Sequence, residues 1–436
     1  MSVTGGLFAG VAAIASQATA FGIISDNIAN SQTVGYKETQ ARFQTLVTRS
    51  PTATAFTPGG VQSKPLTDPS RQGLLQGTTS TTDIAVDGNG FFVVNGAAEP
   101  GSDDEYLLTR AGAFNTDENG RLVNTAGYYL QGWRTDASGN IVNQDTRDLL
   151  SSLETVDLSQ FGQIANQTDD VTINANLPAD TATAATVVTN ITIYDSQGFD
   201  YLLRTTWTKS AAANTWTYDY TLIRNPGTIN ASSMSLGGAA RTMVFNPDGS
   251  LNAVNTGVAG TTNASATETL TVSSGEFSRS VALNTITLNW GTFGQPTGMS
   301  QFNGDFETSL LNQDGSGPSA LTGVSISEDG LVAANFANGQ SRNIYRLPLG
   351  TVPAATQLSA ANGNAYGTTS TSGDIVLSIP TNGGTGRIQS GALENSTTDI
   401  ATEFTDLIIT QRAYSAATRI ITTGDELLDE IIRIKR

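Results

Sequence analysis

Two stretches at opposite ends of the chain share an apolar step that alternates between four and three residues. The first runs through Leu7, Val11, Ile14, Ala18, Phe21, Ser25 and Ile28. The second runs through Ile400, Phe404, Leu407, Gln411, Tyr414, Thr418, Ile421, Asp425, Leu428 and Ile432. A mean period near ~3.5 residues is that of a coiled-coil seam and predicts one helix at each end. The first helix is expected to close at Asn30-Ser31, where a polar cluster before Val34-Gly35 offers turn chemistry that competes with helix continuation. Ser396 with Asp399 predicts a capping pair at the start of the second, and Arg433, Lys435 and Arg436 place positive charge where the helix dipole favours it. Gly424 reads as a weak point, costing ~1 kcal/mol relative to alanine inside a helix.

Between the ends the period changes to two. Asp83 to Val86 and Phe91 to Val94 flank Asp87-Gly88-Asn89-Gly90 and predict a tight hairpin. Tyr201, Leu203, Thr205 and Trp207 alternate onto one face, as do Trp216, Tyr218, Tyr220 and Leu222, which predicts an antiparallel hairpin with that face buried. Pro247-Asp248-Gly249, Asp314-Gly315, Asp329-Gly330 and Asn338-Gly339 supply turns. Thr/Ala/Ser/Gly-rich stretches at 179–189, 255–268 and 354–386 are expected to be loops or linkers. No fixed repeat period is present, which disfavours a solenoid or propeller.

Composition narrows the chemistry. The chain has 436 residues, no cysteine and no histidine, which removes thiol nucleophiles, Cys/His metal sites, histidine general bases and Ser-His-Asp triads. Only 14% of residues are charged and the net charge is −17, with lysine confined to Lys37, Lys64, Lys209 and Lys435. No basic patch is available for a nucleic acid or an anionic lipid surface, so no nucleic-acid partner is expected. No uninterrupted run reaches the ~18–20 apolar residues of a membrane span, so no membrane insertion is expected. Leu7 to Ala20 is apolar, but the first basic residue is Lys37, which argues against a cleaved secretory signal.

Individual motifs read plainly. Asn115-x-Asp117-x-Asn119-Gly120 resembles the start of a calcium loop, but its twelfth position is Ala126 and its flanks are strand-like, so a β-turn is expected. Gly88-Asn89-Gly90 precedes a strand where a phosphate loop would need a helix. Asp103-Asp104-Glu105 and Glu426/Asp429/Glu430 read as solvated surface in place of a glycosidase pair. Catalytic, cofactor-binding and metal residues are accordingly none, and no cofactor is expected. The terminal stripes carry the remaining signal. A single amphipathic helix cannot bury its stripe alone, so the two ends must meet each other or neighbouring copies, and both are expected. Ile408, Ile420, Leu427, Ile431 and Ile434 widen the apolar surface beside the seam.

Asp26-Asn27-Ile28-Ala29-Asn30-Ser31-Gln32-Thr33-Val34-Gly35-Tyr36-Lys37 closely resembles the segment that follows the N-terminal helix in bacterial flagellar rod and hook proteins. Asp87 to Val94, Thr109 to Phe114 with Gly120 to Asn124, and Ser390 to Ser396 with Ile409 to Tyr414 resemble the same group, in the same order. Within it, the length, the inserted β block and Leu321 to Ile326 with Asn338-Gly339-Gln340 are similar to the hook branch. A distal rod protein, which would lack the 150–300 block, is the alternative. An extracellular adhesive or carbohydrate-binding β protein, suggested by the aromatic rows at 201–222, is a more remote one.

The resemblance implies a mainly β fold with terminal α-helices paired as a coiled coil, plus two β-rich domains of which the inner is discontinuous in sequence. The implied division is a helical domain of 1–30 and 395–436, a connector of 31–79 and 386–394, an inner β domain of 80–149 and 301–385, and an outer inserted β domain of 150–300. Asn27, Asn30, Thr33, Gly35, Tyr36 and Lys37 would form the connector motif, and the two seams would pack the helices and the subunits. It also implies a helical homopolymer forming a curved, flexible tube, with rod, hook-cap and hook–filament junction proteins and the type III export apparatus as partners. Export without a cleaved signal to an extracellular position on the flagellum fits a chain without disulfides. Termini that order on assembly are expected, because isolated helices of this length are marginal in water.

Overall fold

A computed structural model describes residues 3–46, 59–101, 104–224, 232–235, 241–255, 266–271 and 285–434. It is mainly β, with an α-helix at each end, α1 (Val3–Ala29) and α2 (Ile400–Ile434). The chain forms two compact units, one of residues 1–160, 322–335 and 341–436, the other of 161–321 and 336–340. The division departs from the expected one: residues 301–321 belong with the second unit, and 150–160 with the first. Asp103, Lys435 and Arg436, the side chains of Ile431 and Ile434, and residues 256–265 of one expected loop lie outside the described residues.

In the first unit, Phe91–Asn95 is buried along its whole length because it pairs antiparallel with Tyr106–Thr109, Tyr129–Arg134 and Leu349–Thr351. Phe91, Val93, Leu108, Trp133, Tyr366 and Leu377 form one core beside it. The expected hairpin between Asp83–Val86 and Phe91–Val94 does not form. Ile84–Asp87 pairs instead with Arg387–Ser390. Gly88 (φ 106°) and Gly90 (φ 124°) turn the chain out of the strand plane, and a Cβ on Gly88 would lie 2.9 Å from Gly386 Cα. Gly386 N donates to Asn89 O at 2.7 Å, so this loop is fastened to the returning strand. At Asn115–Gly120 the Asp117 carboxylate accepts the amides of Asn119 and Arg121 at 2.9 and 2.8 Å, closing a turn.

A ribbon of two antiparallel strands, β1 (Thr39–Thr45) and β2 (Val61–Thr67), lies along α1, where Ser16 Oγ donates to Val61 O at 2.9 Å. At the other terminus Asp399 alone caps α2, its Oδ1 accepting the amides of Ala401 and Thr402 at 2.8 and 3.3 Å. Ser396 belongs to the preceding turn, accepting from Thr398 N at 3.2 Å. Contrary to expectation, α1 is by length and composition apolar enough to cross a membrane, with a mean hydropathy of 1.8 over its most apolar 18 residues. The residues that interrupt its apolar run are neutral, and Asp26 is the one charge in the helix.

Most described strands of the second unit fall in two sheets. One has the strand order Thr267–Thr271, Thr285–Asn289, Asp170–Asn176, Glu307–Gln313; the other Thr186–Tyr194, Asp200–Lys209, Thr215–Arg224, Arg241–Phe245, Leu251–Asn255. Asp200–Lys209 and Thr215–Arg224 pair with Trp207 opposite Tyr218, and the alternation read from the sequence is the buried face. Trp207, Trp216, Tyr218, Tyr220 and Trp290 join Val171, Ile173 and Leu288 in one core. Rings of Trp207, Tyr218 and Trp290 lie 5.1–5.8 Å apart, in tilted and edge-on arrangements. Three of the expected loops prove partly ordered into strands, at Thr186–Tyr194, at Thr267–Thr271, and at Ser359–Ala361, Ala365–Gly367 and Val376–Ser378. Their threonines and valines suit a pleated surface better than composition suggests.

Candidate assembly surface

The two terminal helices pack against each other, but the stripe they share is offset from the sequence-predicted one. On α1 the heptad-spaced set Gly10, Ala13, Gln17, Ala20, Ile24 and Asn27 is buried or half-buried, each one residue before a predicted seam position. On α2 they are Glu403, Leu407, Thr410, Ala413, Ala417, Ile421, Gly424 and Leu428. One predicted series, Leu407, Tyr414, Ile421 and Leu428, borders this seam. The other is displaced by one residue, from 404, 411, 418 and 425 to Glu403, Thr410, Ala417 and Gly424. These heptad-spaced residues are small or polar, and so allow close approach.

Gly424 is therefore a packing residue. A Cβ there would meet Leu7 Cδ2 at 2.6 Å, and one on Gly10 would meet Ile421 Cγ1 at 3.1 Å. Small residues thus hold the closest approach, with Ile24, Leu407, Ile421 and Leu428 beside them, while many of the largest side chains stay outside the intrachain seam. Val11, Phe21, Ile400, Phe404, Tyr414 and Ile432 are exposed, as are Phe8, Ile408, Ile409, Ile420 and Leu427 outside the predicted series. Phe8 is 75% exposed, Phe404 51% and Ile432 63%, values that solvated helices of a finished structure seldom combine. Ala18 and Gln411 are also exposed, while Leu7, Ile14 and Ile28 are half-buried. Ala18, Phe21, Gln411 and Tyr414 do come together: with Gln17, Thr410 and Ser415 they line an open groove of about 480 Å³ between the helices.

The connector motif closes the end of this pair. Asn27, 1% exposed, has its amide fully used: Nδ2 donates to Thr39 O and Glu403 Oε1, both at 2.8 Å, and Oδ1 accepts from Thr39 N and Tyr36 Oη, both at 3.0 Å. One side chain thus ties α1 to β1 and α2. Asn30 folds back on Asp26, and Thr33 Oγ1 donates to Asn30 Oδ1 at 3.1 Å. Gly35 needs its φ of 71°, because a Cβ would lie 2.7 Å from Ala111 N. Burial, then the charge and hydrogen bond of Asp26, push the Tyr36 hydroxyl well above its ordinary value.

Lys37 lies at the centre of a buried ionic cluster. Its ammonium pairs with Glu394 and donates to Arg71 O at 2.6 Å, while Arg110 Nη1 reaches Glu394 Oε2 at 3.3 Å. All three side chains are fully buried, and Gly73 N also donates to Glu394 at 2.6 Å. Burial lowers the hold of Lys37 on its proton, Glu394 opposes this, and Arg110 adds to it. Removing one partner from such a group leaves an uncompensated buried charge, so the cluster fixes the connector against the strand that leads into α2. Sequence reasoning found Lys37 through the motif but missed Arg110 and Glu394 as its partners. They are far apart in sequence, and the pairing of Leu75–Gly77 with Ala392–Glu394 brings Glu394 into place.

The aromatic rows that suggested a glycan-binding surface are not on the surface. Tyr201, Leu203, Trp207, Trp216, Tyr218, Tyr220 and Leu222 are 3% exposed or less. Tyr218 and Tyr220 donate to Glu268 Oε2 at 2.9 and 2.7 Å, and Arg241 pairs with Oε1 at 2.8 Å. Burial and the nearby Glu268 charge raise both tyrosine hydroxyls. This is a closed structural network.

Comparison with known proteins agrees along the whole chain. Residues 85–195 match the family described as Flagellar hook protein FlgE/F/G D1 domain, 163–316 match Flagellar basal body protein FlaE D2 domain, and 389–434 match Flagellar basal body rod FlgEFG protein C-terminal. The Flagellar hook protein FlgE of Brucella suis is 34% identical over 100% of both chains, and that of Rhizobium meliloti 32% over 100% of both. Among solved structures, the Helicobacter pylori flagellar hook protein FlgE2 is 14% identical, with a TM-score of 0.47, over 73% of this chain and 100% of that one. Matched end to end by such relatives, the chain belongs to the flagellar hook protein FlgE family.

Proposed function

We propose that this chain is the structural subunit of the bacterial flagellar hook, stacking helically into a curved, flexible tube that transmits motor torque to the filament. The observation that carries the reading is the inversion at the termini: small residues hold the closest approach of the intrachain seam, while Phe8, Val11, Phe21, Phe404, Tyr414, Ile420 and Leu427 are exposed. Such a surface is stable in water only when other copies cover it. The helical pair forms the wall of the tube. The role is structural and involves no catalytic step. By family, the polymer sits outside the cell between rod and filament, meeting rod, cap and hook–filament junction proteins, and its chains leave through the flagellar export apparatus without a cleaved signal.

Electron microscopy of the purified chain under polymerising salt tests this. Curved tubes are expected, and straight, stiff ones would favour the distal-rod reading. Phe404→Asp should abolish polymer while leaving the β units folded, because the side chain is half exposed on α2 and belongs to neither of the two β cores described above. A variant that still forms hooks would remove the helices from the assembly surface.

A further inference from the structure

The groove between the helices and the apolar residues beyond it lie on opposite flanks of the seam. Successive helical residues turn by about 100°, so positions three apart differ by about 60°. Ala417 is buried in the seam. Tyr414, three residues before it, therefore lies about 60° to one side, and Ile420, three residues after it, about 60° to the other. Leu427, seven residues beyond Ile420, extends the same edge. Tyr414 and Phe21 line the open groove. Ile420 and Leu427 form a ridge, each 52% exposed, beside the close approach of Gly10 to α2.

A two-fold pair would need groove and ridge in one shared patch, each meeting the other's counterpart, and flanks about 120° apart do not share a patch. They suit a head-to-tail contact, which repeats without closing and builds a helical polymer. The side chains lining the groove carry no charge, and neither do Ile420 and Leu427, so no buried ion would remain unpaired. We infer that neighbouring copies join flank to flank, with the Ile420/Leu427 ridge of one copy seated in the Phe21/Tyr414 groove of the next. This rests on the assembly reading above and names the partner of that surface, a second copy, and its side of approach.

The absence of cysteine gives a clean test, since introduced thiols report only on themselves. Full-length Tyr414→Cys and Leu427→Cys chains are polymerised as an equal mixture and oxidised. A disulfide needs Cα atoms within about 7 Å, so a linked dimer should take up to about half of the chains in the mixture and be at least tenfold weaker with either variant alone. Ser415→Cys with Thr423→Cys, on the rims of groove and ridge, repeats the test without removing an apolar side chain. Dimer from Tyr414→Cys alone would indicate a two-fold contact and overturn the inference. Curved polymer of both pairs with thiols left free would overturn it while leaving the assembly reading intact; failure of the parent chain to polymerise would instead sink that reading. Capture of the parent by phosphatidylcholine vesicles in place of polymer would assign the flanks to lipid, and also overturn it.

Discussion

The terminal helices and the second β unit handle large side chains in opposite ways. In the second unit, Trp207, Trp216, Tyr220 and Trp290 are fully buried and the strands show clean alternation between inward and outward positions. At the termini, Gly10, Ala20, Ala417 and Gly424 hold the closest part of the seam, and Phe8, Phe21, Phe404, Ile408, Ile420 and Leu427 are left outside. The first pattern satisfies a folded subunit by itself. The second is complete only in company. The difference separates residues that hold a subunit together from those that hold subunits to each other, and mutations should divide along the same line.

The largest expected effect is in the closed core. Trp207→Ala removes a fully buried indole packed edge-on against Trp290 and beside Tyr218, and should cost about 3–5 kcal/mol of the second unit's stability. Three of the four tryptophans lie in this unit, so denaturant unfolding followed by fluorescence reads it directly. The concentration at which polymer first forms should move far less. If polymerisation and core stability fell together, the two regions would not be independent in the way their packing indicates.

Gly424→Leu attacks the seam from the other direction. The added side chain occupies the space of Leu7, and forcing the helices apart should cost about 1–3 kcal/mol, raising the critical concentration about 5- to 150-fold. Gly424→Ala should be nearly neutral, because a gain of ~1 kcal/mol in helix propensity offsets a small shift at the flexible end of Leu7. An equal effect of alanine and leucine would mean that backbone freedom, not close approach, is what Gly424 supplies.

These variants also mark what was legible in the sequence. A period of about 3.5 identified both helices, since apolar spacing survives whichever side of the stripe turns inward. It could not place the seam, because the rule that large apolar residues go inside holds for a closed subunit such as the Trp207 core and misleads where the same residues wait for a neighbour. Asn27 and Lys37 were visible through their motif. Arg110, Glu394 and Glu403, which complete their polar networks, were not, since pairing across hundreds of residues is set by strand register and leaves no local pattern. The misread hairpin at Asp87–Gly90 has a similar cause: two glycines permit a tight reversal but do not dictate which strand follows alongside.

The smallest expected effect sharpens the comparison at its polar end. Glu403 is a buried carboxylate in the helix seam, accepting from Asn27 Nδ2 at 2.8 Å. Burial raises its pKa above the ordinary glutamate value, Asn27 opposes this, and the nearby charges of Glu38 and Asp406 add to the rise. A folded-state pKa above the unfolded one means that the paired helices bind the proton more tightly. The associated stability is complete below the ordinary glutamate range and is lost as pH rises through the raised value. Glu403→Gln keeps an oxygen to accept from Asn27 and removes the ionisation, so the mutant's helix protection in hydrogen exchange should lose this part of its pH dependence and equal or exceed the parent's at neutral pH. Glu403→Ala leaves one Asn27 donor without its partner and should cost about 1 kcal/mol. A glutamine variant as pH-dependent as the parent would show that Glu403 is not the group that titrates in the seam.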